Sequence, residues 1–173
     1  MATPADPHLI LVGLPGAGKS TVGRAVAAKL GRDFVDLDVE IERVAAMSVA
    51  ELFSRMGEDY FRTLEAQASA ALATSPPMVV APGGGWMANE RAVAPLAGQG
   101  RIILLRVRPE TALERLQADM TIRPLLQGSN PLDTLMRFSD VRSASYAGAD
   151  AAVETDNVDV QEVIRQVTLL AAR

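Results

Sequence analysis

HLILV, residues 8–12, runs directly into GLPGAGKST, residues 13–21, and this junction constrains the chain more than any other stretch. The near-continuous apolar run has the pattern of a parallel strand covered on both faces. The nonapeptide after it fits G-x-x-x-x-G-K-[ST], placed where that motif has physical meaning: after a strand and at the opening of a helix. Its glycines let the backbone wrap phosphate groups, so that amide N–H groups and the helix N-terminus face the negative charge. Lys19 is positioned to reach the β- and γ-phosphates, and the Ser20 hydroxyl to ligate Mg²⁺. Gly16, Ala17, Gly18, Lys19, Ser20 and Thr21 are therefore the expected ATP-binding residues. A glycine-rich turn that only joins strand to helix is the alternative, and the full motif in its full context disfavours it.

Downstream, strands and helices alternate. DFVDLD (33–38) reads as a second strand, and 39–73 as helical with a break at Gly57 and an end at SPP (75–77). MVVA (78–81) is a third strand, 89–97 a helix, and RIILLRV (101–107) a fourth strand. A helix follows from Pro109, a residue suited to a first turn. Residues 118–131 form a polar loop containing proline and glycine. A helix over 132–147, an edge strand over 151–154 and a last helix over 158–172 complete the pattern. Such alternation predicts an α/β fold: a doubly wound, mostly parallel five-stranded sheet with helices on both faces. Residues 1–173 are read as one domain, with a mobile lid at about 118–130 and an acceptor-binding helical segment at about 39–73.

Composition narrows the classes. A net charge of −4 disfavours nucleic acid or an anionic membrane as partner. The absence of cysteine excludes disulfides and thiolate metal sites. The apolar run near the start is too short for a signal-peptide core or a membrane span. A cytoplasmic, monomeric enzyme acting on a small molecule is expected. All but two of the 17 basic residues are arginine, so only an arginine's position carries information. With 173 residues and no further domain in view, a small kinase is favoured over an NTPase switch or motor.

Ligands in this fold sit at the carboxyl ends of the strands. The second strand ends in Asp36 and Asp38, which alternation places on one face of the chain. One carboxylate is suited to Mg²⁺ and the other to orienting or deprotonating a hydroxyl. A solvated acidic cap at a strand end is the alternative. The third strand ends in Gly83, Gly84 and Gly85, against whose bare backbone a substrate or γ-phosphate is expected to lie.

The ordered set GLPGAGKST, DLD (36–38), FRTLE (61–65), GGG (83–85), IRPLL (122–126) and R-x-x-x-Y (142–146) resembles shikimate kinase. That family belongs to the nucleoside-monophosphate-kinase-like P-loop group, and the resemblance spans nearly the whole chain. It implies ATP-dependent, Mg²⁺-requiring phosphorylation of the 3-hydroxyl of shikimate in aromatic amino-acid biosynthesis. It places Asp36 near Mg²⁺ and makes Asp38 the base that contacts the acceptor hydroxyls. Arg62 and Arg142 grip the acceptor carboxylate, Gly84 offers a backbone contact, and Phe53 and Phe61 surround the acceptor. Arg123 closes over the phosphates, Arg115 stacks on adenine, and Thr155 to Asp159 complete the adenine pocket. Guanidinium groups do fit a carboxylate bidentately. Arg62 can instead pair with Glu65 on its own helix, Arg142 can be a solvated helix arginine, and Phe53 and Phe61 can be core residues. Pro82, Trp86 (read as bulky beside the pocket) and the RSASY segment depart from the family's pattern. They leave open a kinase for another hydroxy acid or sugar acid; a catalytically weak ligand sensor is the other alternative.

Overall fold

The five strands meet in one parallel sheet with the chain's first strand at the centre, flanked by the third and fourth, and with the second and fifth at the edges. The computed structural model describes residues 6–118 and 130–171. In chain order it comprises β1 (His8–Val12), α1 (Lys19–Leu30), β2 (Phe34–Asp36), α2 (Leu37–Ala45), α3 (Val49–Met56), α4 (Glu58–Leu72), β3 (Val79–Ala81), α5 (Glu90–Val93), β4 (Gly100–Arg106), α6 (Pro109–Ala118), α7 (Pro131–Tyr146), β5 (Ala151–Glu154) and α8 (Val160–Ala171). Single 3₁₀ turns at Trp86–Ala88 and Ala94–Leu96 flank α5.

Period-two alternation explains why β1 and β4 read as continuous apolar runs. Leu9 and Leu11 join the core on one face with Val79, Ile103 and Leu105. Ile10 and Val12 join the opposite core with Val80, Leu104 and Trp86. Helices α1, α6 and α8 cover the first face, and α4 with α5 covers the second. A smaller cluster of Ile41, Leu52 and Phe61 holds α2, α3 and α4 together at one end of the sheet.

Three boundaries differ from the sequence reading. The expected strand over 33–38 stops at Asp36, whose carboxylate accepts from Val39 N at 3.4 Å and caps α2. A short acidic side chain at an N-cap, followed by more acid in the first turn, favours helix over strand. Asp38 therefore sits on the first turn of α2, and the alternation argument that paired it with Asp36 is corrected. The helical segment is three helices. Ala46 ends α2 in the left-handed region (φ 52°), a reciprocal Ser48–Glu51 cap opens α3, and Gly57 (φ 82°) separates α3 from α4. The expected helix over 89–97 is only the four-residue α5 between two 3₁₀ turns.

Candidate active site

The phosphate loop follows from its glycines. Gly13 (φ 150°) and Gly16 (φ 82°) hold backbone shapes that side chains resist, and added Cβ atoms would meet Leu105 O and Ala112 O at 2.5 Å. Gly18 (φ 93°) precedes α1 with no side-chain cap, so the first-turn amides of α1, which have no intrahelical acceptor, face the loop. Lys19 Nζ donates to Gly13 O at 2.9 Å and Leu14 O at 3.1 Å, curling back over the loop. Ser20 Oγ donates to Asp36 Oδ2 at 2.7 Å. Helix α2 thus delivers its capping carboxylate to the start of α1.

A cavity of about 490 Å³ extends from this loop between α6 and the segment after β5. Gly16, Ala17, Gly18, Lys19, Ser20 and Thr21 line it, with Arg115, Thr155 and Val158 at its far side. Arg115 is fixed there by donation to Thr155 O (2.6 Å) and Thr155 Oγ1 (3.0 Å). The cavity joins the phosphate loop to the segment expected to hold adenine.

The three glycines after β3 have a different reason from those of the phosphate loop. None has φ in the left-handed region, so backbone conformation does not require glycine at 83, 84 or 85. Space does. A Cβ on Gly83 would meet Asp38 Oδ1 at 2.8 Å, one on Gly84 would strike Arg142 Nη1, and one on Gly85 would meet Arg62 Nη2 at 2.6 Å. Three consecutive residues each make room for one of three side chains drawn from α2, α7 and α4. The bare backbone expected to lie against a substrate also makes room for these side chains.

Their electrostatics suit a ligand. Asp38 Oδ1 and Arg142 Nη1 are buried polar atoms without a hydrogen-bond partner among the described residues. Burial first, then the nearby Asp36 carboxylate, pushes the Asp38 carboxyl up to about 6, against the pull of Lys19. The Arg142 guanidinium lies over the Phe138 ring, 4.0 Å from its centroid. Tyr146, one turn further along α7, donates to Gly84 O at 3.0 Å. Arg62 makes the same-helix pairing foreseen as an alternative. Its Nη1 reaches Glu65 Oε2 at 3.0 Å, and its Nη2 reaches Glu58 Oε1 at 3.0 Å.

Phe61 is buried with Ile41 and Leu52, while Phe53, its ring centroid 4.8 Å away, is 37% exposed. Trp86, expected beside the pocket, is instead fully buried in the core, with Nε1 donating to Ser69 Oγ at 2.9 Å. A core position satisfies both its ring and its N–H. Arg123 and nearly all of the expected lid lie outside the described residues.

The family profile for shikimate kinase matches residues 15–171. The chain belongs to the shikimate kinase family. It is accordingly an ATP-using kinase that phosphorylates shikimate, a step of aromatic amino-acid biosynthesis. The shikimate kinase of Moorella thermoacetica is 40% identical over 162 residues, covering 92% of this chain and 91% of that protein. That of Rhizobium meliloti is 41% identical over 165 residues, covering 95% and 85%. Among solved structures, the shikimate kinase from Acinetobacter baumannii in complex with shikimate superposes with a TM-score of 0.87 at 34% identity, covering 96% of this chain and 93% of that one. No helix among the described residues is long and apolar enough to cross a membrane.

Sequence reasoning missed what supports the arginines. Phe138 under Arg142 and Asn89 beside Glu65 carry no motif, and only their positions in space reveal them.

Proposed function

We propose that this shikimate kinase transfers the γ-phosphoryl group of ATP to the 3-hydroxyl of shikimate, with Asp38 as base and Arg62 and Arg142 as the carboxylate clamp. The observation that carries the proposal is the glycine triplet. It gives up three Cβ positions so that one carboxylate and two guanidinium groups converge at the strand ends, next to the phosphate loop. The unpartnered Asp38 Oδ1 and Arg142 Nη1 are the donor–acceptor complement of a hydroxy acid. A carboxyl titrating near 6 is ionised at neutral pH yet basic enough to take a hydroxyl proton as the transfer proceeds.

Lys19 withdraws from its loop carbonyls to the β- and γ-phosphates, where its charge offsets that of the transferring group. Arg115 and the Thr155 segment receive adenine. Arg123, assigned by the resemblance to the family, adds a second cation at the phosphates. Phe53 and Phe61 form the apolar side of the acceptor pocket.

Ser20 and Asp36 fit a Mg²⁺ ion. One hydroxyl and one carboxylate, already 2.7 Å apart, are a hard oxygen pair that leaves the other positions to water and phosphate. No cluster of three or more His, Cys, Asp or Glu among the described residues forms a metal cage, in keeping with an ion held mainly by nucleotide. When bound, Mg²⁺ supplies charge neutralisation and alignment of the phosphates.

ADP release measured across a panel of hydroxy acids tests the reading. Shikimate is expected to give by far the highest kcat/KM, and chelation of divalent cations to abolish turnover. Turnover of another hydroxy acid with none on shikimate would contradict it.

A further inference from the structure

Asn89 immediately precedes α5, where an asparagine ordinarily caps the helix with its side-chain oxygen. It makes no such cap. Its amide nitrogen turns to α4 instead, donating to Arg62 O at 3.0 Å and Glu65 Oε2 at 2.9 Å. Both partners are acceptors, so only the nitrogen can face them and the amide's orientation is fixed by chemistry. The residue is buried, at 8% exposure.

Glu65 is a carboxylate with no exposed surface, a placement that costs heavily unless its oxygens are engaged. Its Oε2 takes hydrogen bonds from Asn89 and from Arg62 Nη1, while Oε1 has no partner. Asn89 therefore supplies the one described hydrogen bond to Glu65 that does not come from the arginine Glu65 holds. Without it, Glu65 rests on Arg62 alone, and Arg62 in turn is held by two bonds to Glu58 and by the Phe61 ring 5.5 Å away. The other acid on Arg62, Glu58, is largely exposed and offers little constraint.

The covalent path closes the circuit. Gly85, which makes room for the Arg62 guanidinium, lies four residues before Asn89, and the 3₁₀ turn Trp86–Ala88 between them folds the chain back onto α4. Trp86 Nε1 to Ser69 Oγ ties the same turn to the same helix. The loop that bounds Arg62 on one side thus returns to brace it from behind.

We propose that Asn89 is a positioning residue for the acceptor: through Glu65 it holds the Arg62 guanidinium at the place where the substrate carboxylate binds. The proposal rests on Arg62 being part of the carboxylate clamp. It assigns acceptor recognition to a residue that never touches the acceptor.

Steady-state kinetics of Asn89→Ala, Arg62→Ala and the double variant, with shikimate and ATP varied separately, test both links. Asn89→Ala is expected to raise the shikimate KM by about ten-fold, the worth of a buried hydrogen bond to a charged group. Its KM for ATP and its kcat should stay within about two-fold of wild type, a split that general loosening of the fold does not produce. In the Arg62→Ala background, the Asn89 change should add no further loss, because the group it positions is gone. Asn89→Ser places a residue suited to the position before a helix but loses the paired amide donation, so it should fold and show the same split even if the alanine variant does not. An unchanged shikimate KM in folded Asn89→Ala or Asn89→Ser, an equal rise for both substrates, or additive losses in the double variant would overturn the proposal. If Arg62→Ala itself leaves the shikimate KM unchanged, the clamp reading fails first. If it raises that KM while the Asn89 variants do not, only the positioning role fails.

Discussion

As the proposed base, Asp38 trades stability for chemistry. Its native pKa of about 6 stands above the ordinary 3.8, so the folded state holds the proton more tightly than the unfolded chain. The resulting stabilisation is full below about pH 4 and is lost as pH rises through 6. At neutral pH, relative to that acidic state, the ionised carboxylate costs on the order of 2–3 kcal/mol. Asp38→Asn should therefore melt higher than wild type at pH 7–8, with the gain vanishing toward pH 4. Its kcat should fall about 10²–10⁴-fold, the range for a positioned acid–base group. Wild-type kcat/KM for shikimate should decline below about pH 6, as Asp38 takes up its proton. Thermal melts and pH–rate profiles check both halves. A variant with normal kcat, or with a stability gain independent of pH, would contradict this role.

At the scale of elements, the loop after β3 shapes the proposed acceptor site by what it lacks. Gly84→Ala introduces no backbone strain; its Cβ presses on the end of the Arg142 side chain and makes an ordinary van der Waals contact with Gly13 O at 3.5 Å. It should leave the melting temperature within a few degrees of wild type and raise the shikimate KM by about ten-fold or more, with the KM for ATP little changed. A large loss of stability with unaltered kinetics would make the glycine a turn residue only. That the glycine triplet stands at the end of a strand was readable from the sequence, because the apolar run before it reads as β3. That each glycine answers a particular side chain was not, since Asp38, Arg142 and Arg62 come from three helices remote in sequence. The same limit applies to Asp36. Its strand-like surroundings favoured an extended reading, and the capping bond to Val39 that ends the strand is a local competition decided by geometry. The phosphate loop was fully legible because its backbone shape is encoded in consecutive residues. Asn89 was illegible because its partners lie on another helix, 24 and 27 residues away.

Across the whole molecule, two cores on opposite faces of one sheet hold the strand ends in register, and the site is assembled where those ends meet the helices. Trp86 is the largest fully buried side chain, and it joins the glycine loop to α4 through Ser69. Trp86→Phe keeps an aromatic ring but strands the buried Ser69 hydroxyl, so stability should drop by about 1–3 kcal/mol while the folded fraction keeps near-normal kcat. Denaturant titration alongside kinetics on one sample separates the two effects. In the proposed mechanism Arg62 and Arg142 converge on one acceptor carboxylate, and changing that carboxylate tests their convergence most directly. The measurement is kcat/KM for shikimate and for its carboxamide analogue, in wild type and in Arg62→Ala and Arg142→Ala. Wild type should discriminate against the carboxamide by roughly ten- to a hundred-fold or more, the worth of charge-assisted contacts, and each arginine variant should discriminate much less. Equal use of acid and carboxamide by the wild type would contradict the clamp.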